Sequence, residues 1–383
     1  MYKNALRPAW VEINLDNLDF NIEEIKSLIP QNCMITAIVK ADAYGHGAVQ
    51  VAKTLIEHGI ISFGVATLEE AISLRNSGIE GEIVVLGLTS ETNANIIVSY
   101  HITPVIDSLS LAQAISNAAT SANTSISGYV ALDTGMCRIG YSSDNLSGID
   151  EIKKISNLCG FKIKGLFSHF ATADESDKTF AKLQGKKFEN YVNALENVGV
   201  TIHNKTIANS AAIMEMPYVL FDVARPGIIL YGCQPSDQVS KNIIPLRPVM
   251  SVRGRIMRLR KVPAETFVSY GRNYTTKKES LIATVALGYA DGFPRVYSSL
   301  GKVLVNEHFA PIAGNICMDQ CMIDVTNIPN VKKGNFVTLM GTEGNNSITA
   351  EDIAAVTGTI NYEILCAFGQ RLPKVYLRQG ESI

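Results

Sequence analysis

The stretch MITAIVKADAYGHG, residues 34–47, joins an apolar run to a lysine and a glycine-rich segment. The run from Met34 to Val39 is rich in β-branched residues, which predicts a buried strand. Lys40 stands at the carboxyl end of this run. Burial there would lower the pKa of the amine and make it a nucleophile that can form a Schiff base with an aldehyde cofactor. The alternative is a lysine whose stem lies along the strand end while its amine reaches water.

Length, charge and cysteine usage restrict the class of protein. The chain has 383 residues, enough for one large domain or two ordinary ones. Its formal net charge of -2 gives no reason to expect nucleic acid or an anionic membrane as a partner. The N-terminus lacks the apolar core of a signal peptide, and no apolar stretch reaches the roughly 20 residues that span a bilayer. Seven scattered cysteines without a CxxC pair argue against a disulfide framework and a structural metal site. We therefore expect a soluble, cytoplasmic protein without a metal.

Short apolar runs alternate with longer segments of helical spacing in the first part of the chain. Eight runs are candidate strands: 34–39, 62–66, 82–86, 103–106, 128–132, 163–167, 205–208 and 221–224. Segments 68–76 and 180–197 are typical of the helices between them. Eight strand–helix units in about 200 residues match a small (β/α)8 barrel of the TIM type. A doubly wound open sheet is the alternative, because alternation alone does not prove closure. The absence of a GxGxxG motif after the first run favours the barrel.

The character of the sequence changes after Tyr231. Segment 234–238, QPSDQ, is typical of a linker. The runs 249–259, 281–287, 303–305, 316–325 and 336–339 indicate a mostly-β domain with one helical segment at 349–357. We therefore predict an α/β chain with the barrel over residues 1–235 and a β-rich C-terminal domain over residues 236–383. About the first dozen residues are expected to pack on the C-terminal domain.

Further motifs follow in order along the chain. They are LDTGMCRIG (132–140), FSHFATADE (167–175), IANSAA (207–212), ARPGIILYG (224–232), SYGRNYT (269–275), GYADGFPR (288–295), CMDQ (317–320) and GTINYEILC (358–366). Together with VKADAYGHG (39–47), this series resembles the alanine racemases of PLP fold type III, enzymes that use pyridoxal 5′-phosphate (PLP). A series of matches in the right order is far more specific than any single one, and it covers essentially the whole chain.

The resemblance implies an isomerase that interconverts L- and D-alanine by a two-base mechanism and supplies D-alanine for peptidoglycan. Its cofactor would be PLP, held as a Schiff base on Lys40. The second base would be Tyr270 of the partner subunit, in a homodimer with shared active sites. His169 is the implied neighbour that activates this tyrosine.

The remaining site residues are implied by the same resemblance. The cofactor-binding positions are Lys40, Tyr44, Arg138, His169, Asn209, Ser210, Arg225, Gly227, Ile228 and Tyr362. The substrate-binding positions are Arg138, Met318 and Tyr289, and Asp319 is a supporting residue. The barrel itself favours a phosphate site at Ser210 and Gly227, because phosphates often bind the loops after strands seven and eight. Taken alone, Asn-Ser-Ala-Ala is also an ordinary helix start.

Arg225 distinguishes between reactions that PLP supports. In the family, the arginine of the ARPG motif faces the pyridine nitrogen, a position that tunes the electronics of the cofactor. An arginine cannot accept the pyridine proton, so the nitrogen stays largely neutral. A carbanion at Cα is then reprotonated at Cα rather than at the cofactor carbon, which favours racemisation over transamination. A salt-bridged barrel arginine is the alternative.

The chain departs from the family pattern at the two positions whose side chains orient Arg138 and Arg225 in many members. Many members have a carbamylated lysine that orients the arginine of the GMxR motif, but this chain has Ala131 at that position. A bound anion such as chloride would be a replacement. Many members also have a histidine beside the pyridine-facing arginine, where this chain has the shorter Thr206. These departures leave a preference for serine or another amino acid open.

Two other functions remain open on the sequence. A PLP-dependent decarboxylase of the same barrel class would have a carboxylate at the pyridine nitrogen, and Arg225 argues against it. A non-catalytic PLP-binding protein would need neither Tyr270 nor a long β domain.

Overall fold

A ring of parallel strands forms the first part of the chain in the computed structural model, which describes residues 7–144, 148–298, 300–369 and 371–383. The elements of this part are β1 (Ala9–Asn14), α1 (Leu15–Leu28), β2 (Met34–Ile38), α2 (Ala48–Glu57), β3 (Ser62–Val65), α3 (Leu68–Asn76), β4 (Glu82–Val85), α4 (Ala94–Ser99), β5 (Thr103–Ile106), α5 (Leu109–Ser121), β6 (Ile126–Asp133), β7 (Tyr141–Ser142), α6 (Gly148–Ser156), β8 (Phe161–Phe167), α7 (Thr179–Asn197), β9 (Asn204–Thr206), α8 (Ser210–Glu215) and β10 (Val223–Ala224).

Eight of these strands form the barrel that the sequence predicts. They lie in the order β10-β2-β3-β4-β5-β6-β8-β9, and the short strand β7 pairs with β6 at one edge. Hydrogen bonds next to β9 and β10 nearly close the ring, from the Asp222 amide to the Lys205 carbonyl (3.2 Å) and from the Arg225 amide to the Ala208 carbonyl (3.1 Å). The doubly wound open sheet is therefore wrong.

Local sequence explains why strands and helices alternate here. All four residues of β3 are buried, as the apolar run predicts for a strand covered on both faces. Helix α3 begins after Thr67, whose hydroxyl accepts from the Glu70 amide while Glu70 accepts from the Thr67 amide. This reciprocal pair is a capping box, which stabilises the first turn of the helix. Helix α3 matches the predicted segment, and α7 begins one residue before the predicted one.

The second part of the chain is mostly β, as predicted. Its elements are β11 (Met250–Val262), β12 (Phe267–Val268), β13 (Tyr274–Thr275), β14 (Ser280–Val285), β15 (Lys302–Val305), β16 (His308–Pro311), β17 (Cys321–Asp324), β18 (Phe336–Glu343), β19 (Asn346–Ile348), α9 (Ala350–Thr357), α10 (Asn361–Ala367), β20 (Lys374–Arg378) and β21 (Glu381–Ser382).

Two segments join the first part of the chain to the second. Strand β1 pairs antiparallel with β11 and parallel with β20, so the N-terminal strand lies in the C-terminal sheet. Helix α10 contacts the segment after Lys40, where a Cβ on Gly45 would lie 2.7 Å from the Leu365 carbonyl oxygen. Among the described helices, none is both long enough and apolar enough to cross a bilayer. The described residues also contain no cluster of three His, Cys, Asp or Glu side chains that could hold a metal ion.

Candidate active site

A cavity of about 930 Å³ lies at the carboxyl ends of the barrel strands. This is the end of a TIM-type barrel at which active sites are found. Its walls include all ten predicted cofactor-binding positions: Lys40, Tyr44, Arg138, His169, Asn209, Ser210, Arg225, Gly227, Ile228 and Tyr362. The fold thus brings together residues that lie far apart in the sequence, while the role of each stays a prediction.

Lys40 begins a left-handed turn directly after β2. Ala41, Asp42, Ala43 and Tyr44 all have φ between 52° and 56°, and Gly45 continues the positive φ at 83°. A left-handed conformation costs roughly 1–2 kcal/mol for each non-glycine residue, so the turn stores on the order of 4–8 kcal/mol. Strain of this kind persists only where the surroundings fix the backbone, and it concentrates at functional sites.

Several side chains hold this turn in place. The Ala41 amide donates to Glu70 Oε1 (2.7 Å), and the Ala48 amide donates to Asp42 Oδ1 (2.8 Å). Asp42 also pairs with Lys374 of β20 (2.8 Å). Fully buried His46 donates from Nδ1 to the carbonyl oxygens of Ala43 (2.9 Å) and Tyr44 (3.0 Å). The strained backbone after Lys40 is therefore anchored at both of its ends.

The surroundings of Lys40 make its amine easier to deprotonate. Burial lowers the pKa of Lys40, and the positive charges of Arg138 and Arg225 lower it further. The negative charge of Glu70 opposes this effect. Because a neutral amine is the nucleophilic form of lysine, this site can activate Lys40 for attack on an aldehyde.

Arg225 lies at the floor of the cavity with its guanidinium fixed from behind. The side chain is 5% exposed and stacks over the Phe167 ring, 4.3 Å from its centroid. One terminal nitrogen donates to the Thr206 hydroxyl, and the other donates to the Ser168 carbonyl (2.6 Å). The Thr206 hydroxyl donates in turn to the Val223 carbonyl (2.8 Å). Burial lowers the pKa of Arg225 to about 9, so it stays protonated near neutral pH.

His169 contacts Arg225 and has a defined proton. Burial, followed by the charges of Arg225 and Arg138, holds the pKa of His169 well below its ordinary value, so the ring is neutral. Its Nδ1 lies 3.2 Å from the Arg225 guanidinium, which can only donate. The proton of His169 is therefore on Nε2. Buried Gln184 holds this loop, since its amide donates to the His169 carbonyl (3.1 Å) and accepts from the Ala171 amide (2.9 Å).

Hydroxyl groups and a glycine form one wall of the cavity. The Gly227 amide donates to Ser210 Oγ (2.9 Å), and a Cβ on Gly227 would lie 2.9 Å from Tyr44 Oη. Burial raises the pKa of Tyr44 and of Tyr362, so both phenols keep their protons and can donate. Asn209 caps helix α8 by accepting from the Ala212 amide (3.1 Å). Donors around a space without bulk suit a phosphate dianion.

Arg138 lies at the rim of the same cavity with an exposed side chain. Ala131 occupies the position from which the family pattern would orient Arg138. It is 1% exposed and packs in an apolar layer with Val105, Tyr129 and Phe167. The groups that surround Ala131 in this layer are aliphatic and aromatic. Ala131 itself can therefore supply no charge to orient Arg138.

Four predicted residues lie outside the walls of this cavity. They are Tyr270, Tyr289, Met318 and Asp319 of the second part of the chain. Tyr270 is 72% exposed, and its carbonyl accepts from the Asn315 amide group (2.8 Å). Tyr289 and Met318 are also exposed and belong to adjoining segments, because the Ala290 amide donates to the Met318 carbonyl (3.0 Å). Asp319 pairs with Arg371 (2.5 Å). These residues form a second group, separate from Lys40 within one chain.

The structure adds residues that the sequence analysis did not assign to the site. Cys366 lines the cavity, while Glu70 and Gln184 hold its loops from behind. The pattern TLEE at 67–70 is a recognisable capping box, but its reach to Ala41 is not visible in the sequence. Gln184 lies within an amphipathic helix, and the sequence does not distinguish it from the other polar residues of that helix. Only the contacts of its amide in the structure show its role.

Comparisons with known proteins agree with this geometry. The family models for the alanine racemase N-terminal domain and C-terminal domain match residues 13–235 and 249–376. The alanine racemase of Clostridium kluyveri is 46% identical, covering 98% of this chain and 96% of its own. The alanine racemase of Clostridium tetani is also 46% identical, covering 100% of this chain and 98% of its own.

Solved structures are similar over nearly the whole length. An alanine racemase of Clostridium difficile 630 has a TM-score of 0.94 at 40% identity, covering 99% of this chain and 98% of that chain. An alanine racemase from Bacillus anthracis, solved with bound L-Ala-P, has a TM-score of 0.92 at 33% identity. The match covers 99% of this chain and 97% of that chain. From the matched family models and the similarity of complete chains, this chain belongs to the alanine racemase family of isomerases.

Proposed function

We propose that this chain is a PLP-dependent alanine racemase that works by two bases and supplies D-alanine for peptidoglycan. Arg225 is the observation that carries this proposal. Its guanidinium lies in the same cavity as Lys40 and is held by Thr206 and the Ser168 carbonyl. A positive group fixed in this way suits a pyridine nitrogen that is to stay unprotonated, the condition that favours racemisation.

The residues of the cavity fit the proposed cofactor. Lys40 would hold its aldehyde carbon, and Arg225 would face its ring nitrogen. The hydroxyls of Ser210, Tyr44 and Tyr362 would hold its phosphate, and Gly227, without a side chain, would leave room for it. When bound, PLP would supply an electron sink for the bond pair released at Cα.

Racemisation needs one acid–base group on each face of Cα. Lys40 would take or return the proton on one face, since its lowered pKa makes the neutral amine accessible. Tyr270 of the partner subunit would act on the other face. Its exposure supports this role, because an exposed tyrosine outside the Lys40 cavity is accessible to a second copy of the chain. Neutral His169 would orient the phenol from Nε2.

The substrate carboxylate would lie between the two parts of such a shared site. Arg138 would bind it from the barrel, while Tyr289 and the Met318 amide would approach from the partner subunit, with Asp319 supporting them. In this arrangement residues 1–235 form the cofactor-binding unit, and residues 236–383 supply the second base. Each active site is then complete only in a homodimer.

Exchange of the Cα proton for deuterium tests the proposal. The protein, loaded with PLP, is incubated in D₂O with a panel of L-amino acids, and exchange and product chirality are read together. We expect L-alanine to become deuterated and D-alanine to appear, and expect Lys40→Ala to lose both. Lys53→Ala, an exposed lysine of α2, is the matched control and should retain both. Exchange without inversion, or loss of carbon dioxide, would refute the racemase assignment.

A further inference from the structure

We propose that Glu70 is a positioning residue for Lys40. Its two carboxylate oxygens have separate main-chain partners: Oε1 accepts from the Ala41 amide (2.7 Å), and Oε2 accepts from the Ala66 amide (2.7 Å). Ala41 follows Lys40 directly, and Ala66 follows β3. One carboxylate therefore joins the ends of two neighbouring barrel strands, which pair through Ile38 and Gly64.

The position of this contact within the strained turn explains why it matters. The other anchors act further along the chain, with Asp42 binding the Ala48 amide and His46 binding carbonyls of the turn. Glu70 binds the peptide immediately after Lys40, where four consecutive non-glycine residues have positive φ. Loss of this bond would let the backbone relax toward right-handed conformations and turn the lysine away from its place in the cavity.

The chemistry of this contact requires a glutamate. Each oxygen of a carboxylate accepts without donating, so a glutamate can receive both amides. A glutamine of the same size has only one oxygen, and its NH₂ group would meet a second N–H donor. An aspartate is one methylene shorter and cannot span from helix α3 to both amides. The negative charge also acts on Lys40, where it opposes the effect of Arg138 on the pKa of the amine.

Three variants separate positioning from helix stability. Glu70→Gln removes the charge and one acceptor oxygen without a change of volume, which breaks either the Ala41 bond or the bonds from the Ala66 and Thr67 amides. Glu69→Gln is the matched control, because it removes a charge from the same first turn but leaves the Ala41 contact. Thr67→Ala removes the capping hydroxyl that accepts from the Glu70 amide (3.3 Å) and weakens the helix start alone.

The inference rests on the proposed function, so two of its three readouts do not depend on catalytic turnover. In cofactor-free protein we expect faster hydrogen exchange of the Ala41 amide in Glu70→Gln than in either control. Titration of Lys40, followed by NMR after reductive ¹³C-methylation, should show a lower pKa in Glu70→Gln because a negative charge is lost. In the loaded enzyme, kcat should fall about 10- to 100-fold with a small change in KM for alanine.

The outcomes distinguish the two proposals. If Lys40→Ala keeps its racemase activity, the proposed function fails, whereas the Ala41 exchange still reports on Glu70. If Lys40→Ala is inactive but Glu70→Gln matches Glu69→Gln in Ala41 exchange, Lys40 titration and kcat, the positioning role is overturned. Should Glu70→Gln not fold, Glu70→Asp replaces it: the charge is kept and the reach is lost, so faster Ala41 exchange supports the role and unchanged exchange refutes it.

Discussion

Mixing two inactive variants should restore part of the activity, because the two proposed bases belong to different chains of one active site. Lys40 lines the barrel cavity, while Tyr270 is 72% exposed and lies outside its walls. Lys40→Ala and Tyr270→Ala are therefore each expected to be inactive as homodimers. In a heterodimer, one site combines both substitutions, whereas the other combines the intact Lys40 of one chain with the intact Tyr270 of its partner.

The size of the recovery follows from the symmetry of the dimer. With equal amounts of both chains and free exchange, about half of the dimers are mixed, and each has one intact site out of two. The mixture should therefore reach about a quarter of the wild-type activity per chain. The assay is the rate of D-alanine formation after partial unfolding and refolding of the mixed chains, with heterodimers counted by native mass spectrometry.

A second pair of variants provides the control. Lys40 and Arg225 line the same cavity of one chain, so every site in a heterodimer of Lys40→Ala and Arg225→Glu lacks one of them. This mixture should show no recovery beyond the residual activity of Arg225→Glu at the same degree of exchange. If the first pair also stays inactive while heterodimers are detected, both bases come from one chain and the shared-site arrangement is wrong.

Further predictions concern the two arginines and the loop before Arg138. Arg225→Glu should slow racemisation on the order of 10²-fold or more and raise side transamination, because a carboxylate favours a protonated pyridine; an unchanged ratio of pyruvate to D-alanine would contradict the pyridine-facing role. Ala131 forms no carbamate, so activity should fall in chloride-free buffer and bicarbonate should not restore it; equal rates in both buffers would show that protein groups alone support Arg138. Cys137 has φ 56°, so Cys137→Gly should raise the free energy of unfolding by about 1 kcal/mol, measured by urea denaturation, and a decrease would show that the thiol packs favourably.

The sequence predicts the barrel because most of its strands contain a short apolar run, of which β3 and β5 are buried throughout, although β9 is the polar segment Asn204–Thr206. The run at 103–106 matches β5 at both ends, and the other boundaries shift by a few residues. The run at 316–325 is wrong as a continuous strand, since residues 317–320 turn back on themselves through a bond from the Cys317 amide to the Gln320 carbonyl (2.9 Å). The pairing of β1 with β11 and β20 depends on partners more than 200 residues away, which local patterns do not specify.

The sequence predicts those parts of the candidate site in which a reactive residue lies within a recognisable motif. It does not predict those parts that depend on backbone geometry. The place of Lys40 after the first barrel strand follows from its motif, and the cavity brings the ten predicted cofactor-binding residues together. The left-handed turn after Lys40 could not be predicted, because Ala41, Asp42 and Ala43 are ordinary residues whose positive φ is imposed by contacts from Glu70, His46 and Lys374. Tertiary contacts, rather than local conformational preference, determine the backbone conformation of such residues.

The two departures from the family pattern differ in their physical consequence. Thr206 is shorter than the histidine of many members, yet its hydroxyl accepts from Arg225 and donates to the Val223 carbonyl, so the support of that arginine is retained in another form. Ala131 lies in an apolar layer and contributes no polar group, so the support of Arg138 is lost at that position. Since Arg138 is the arginine proposed to bind the carboxylate that all amino-acid substrates share, the loss at Ala131 should weaken substrate binding in general, while the proposed electronic role of Arg225 and the type of reaction stay unchanged.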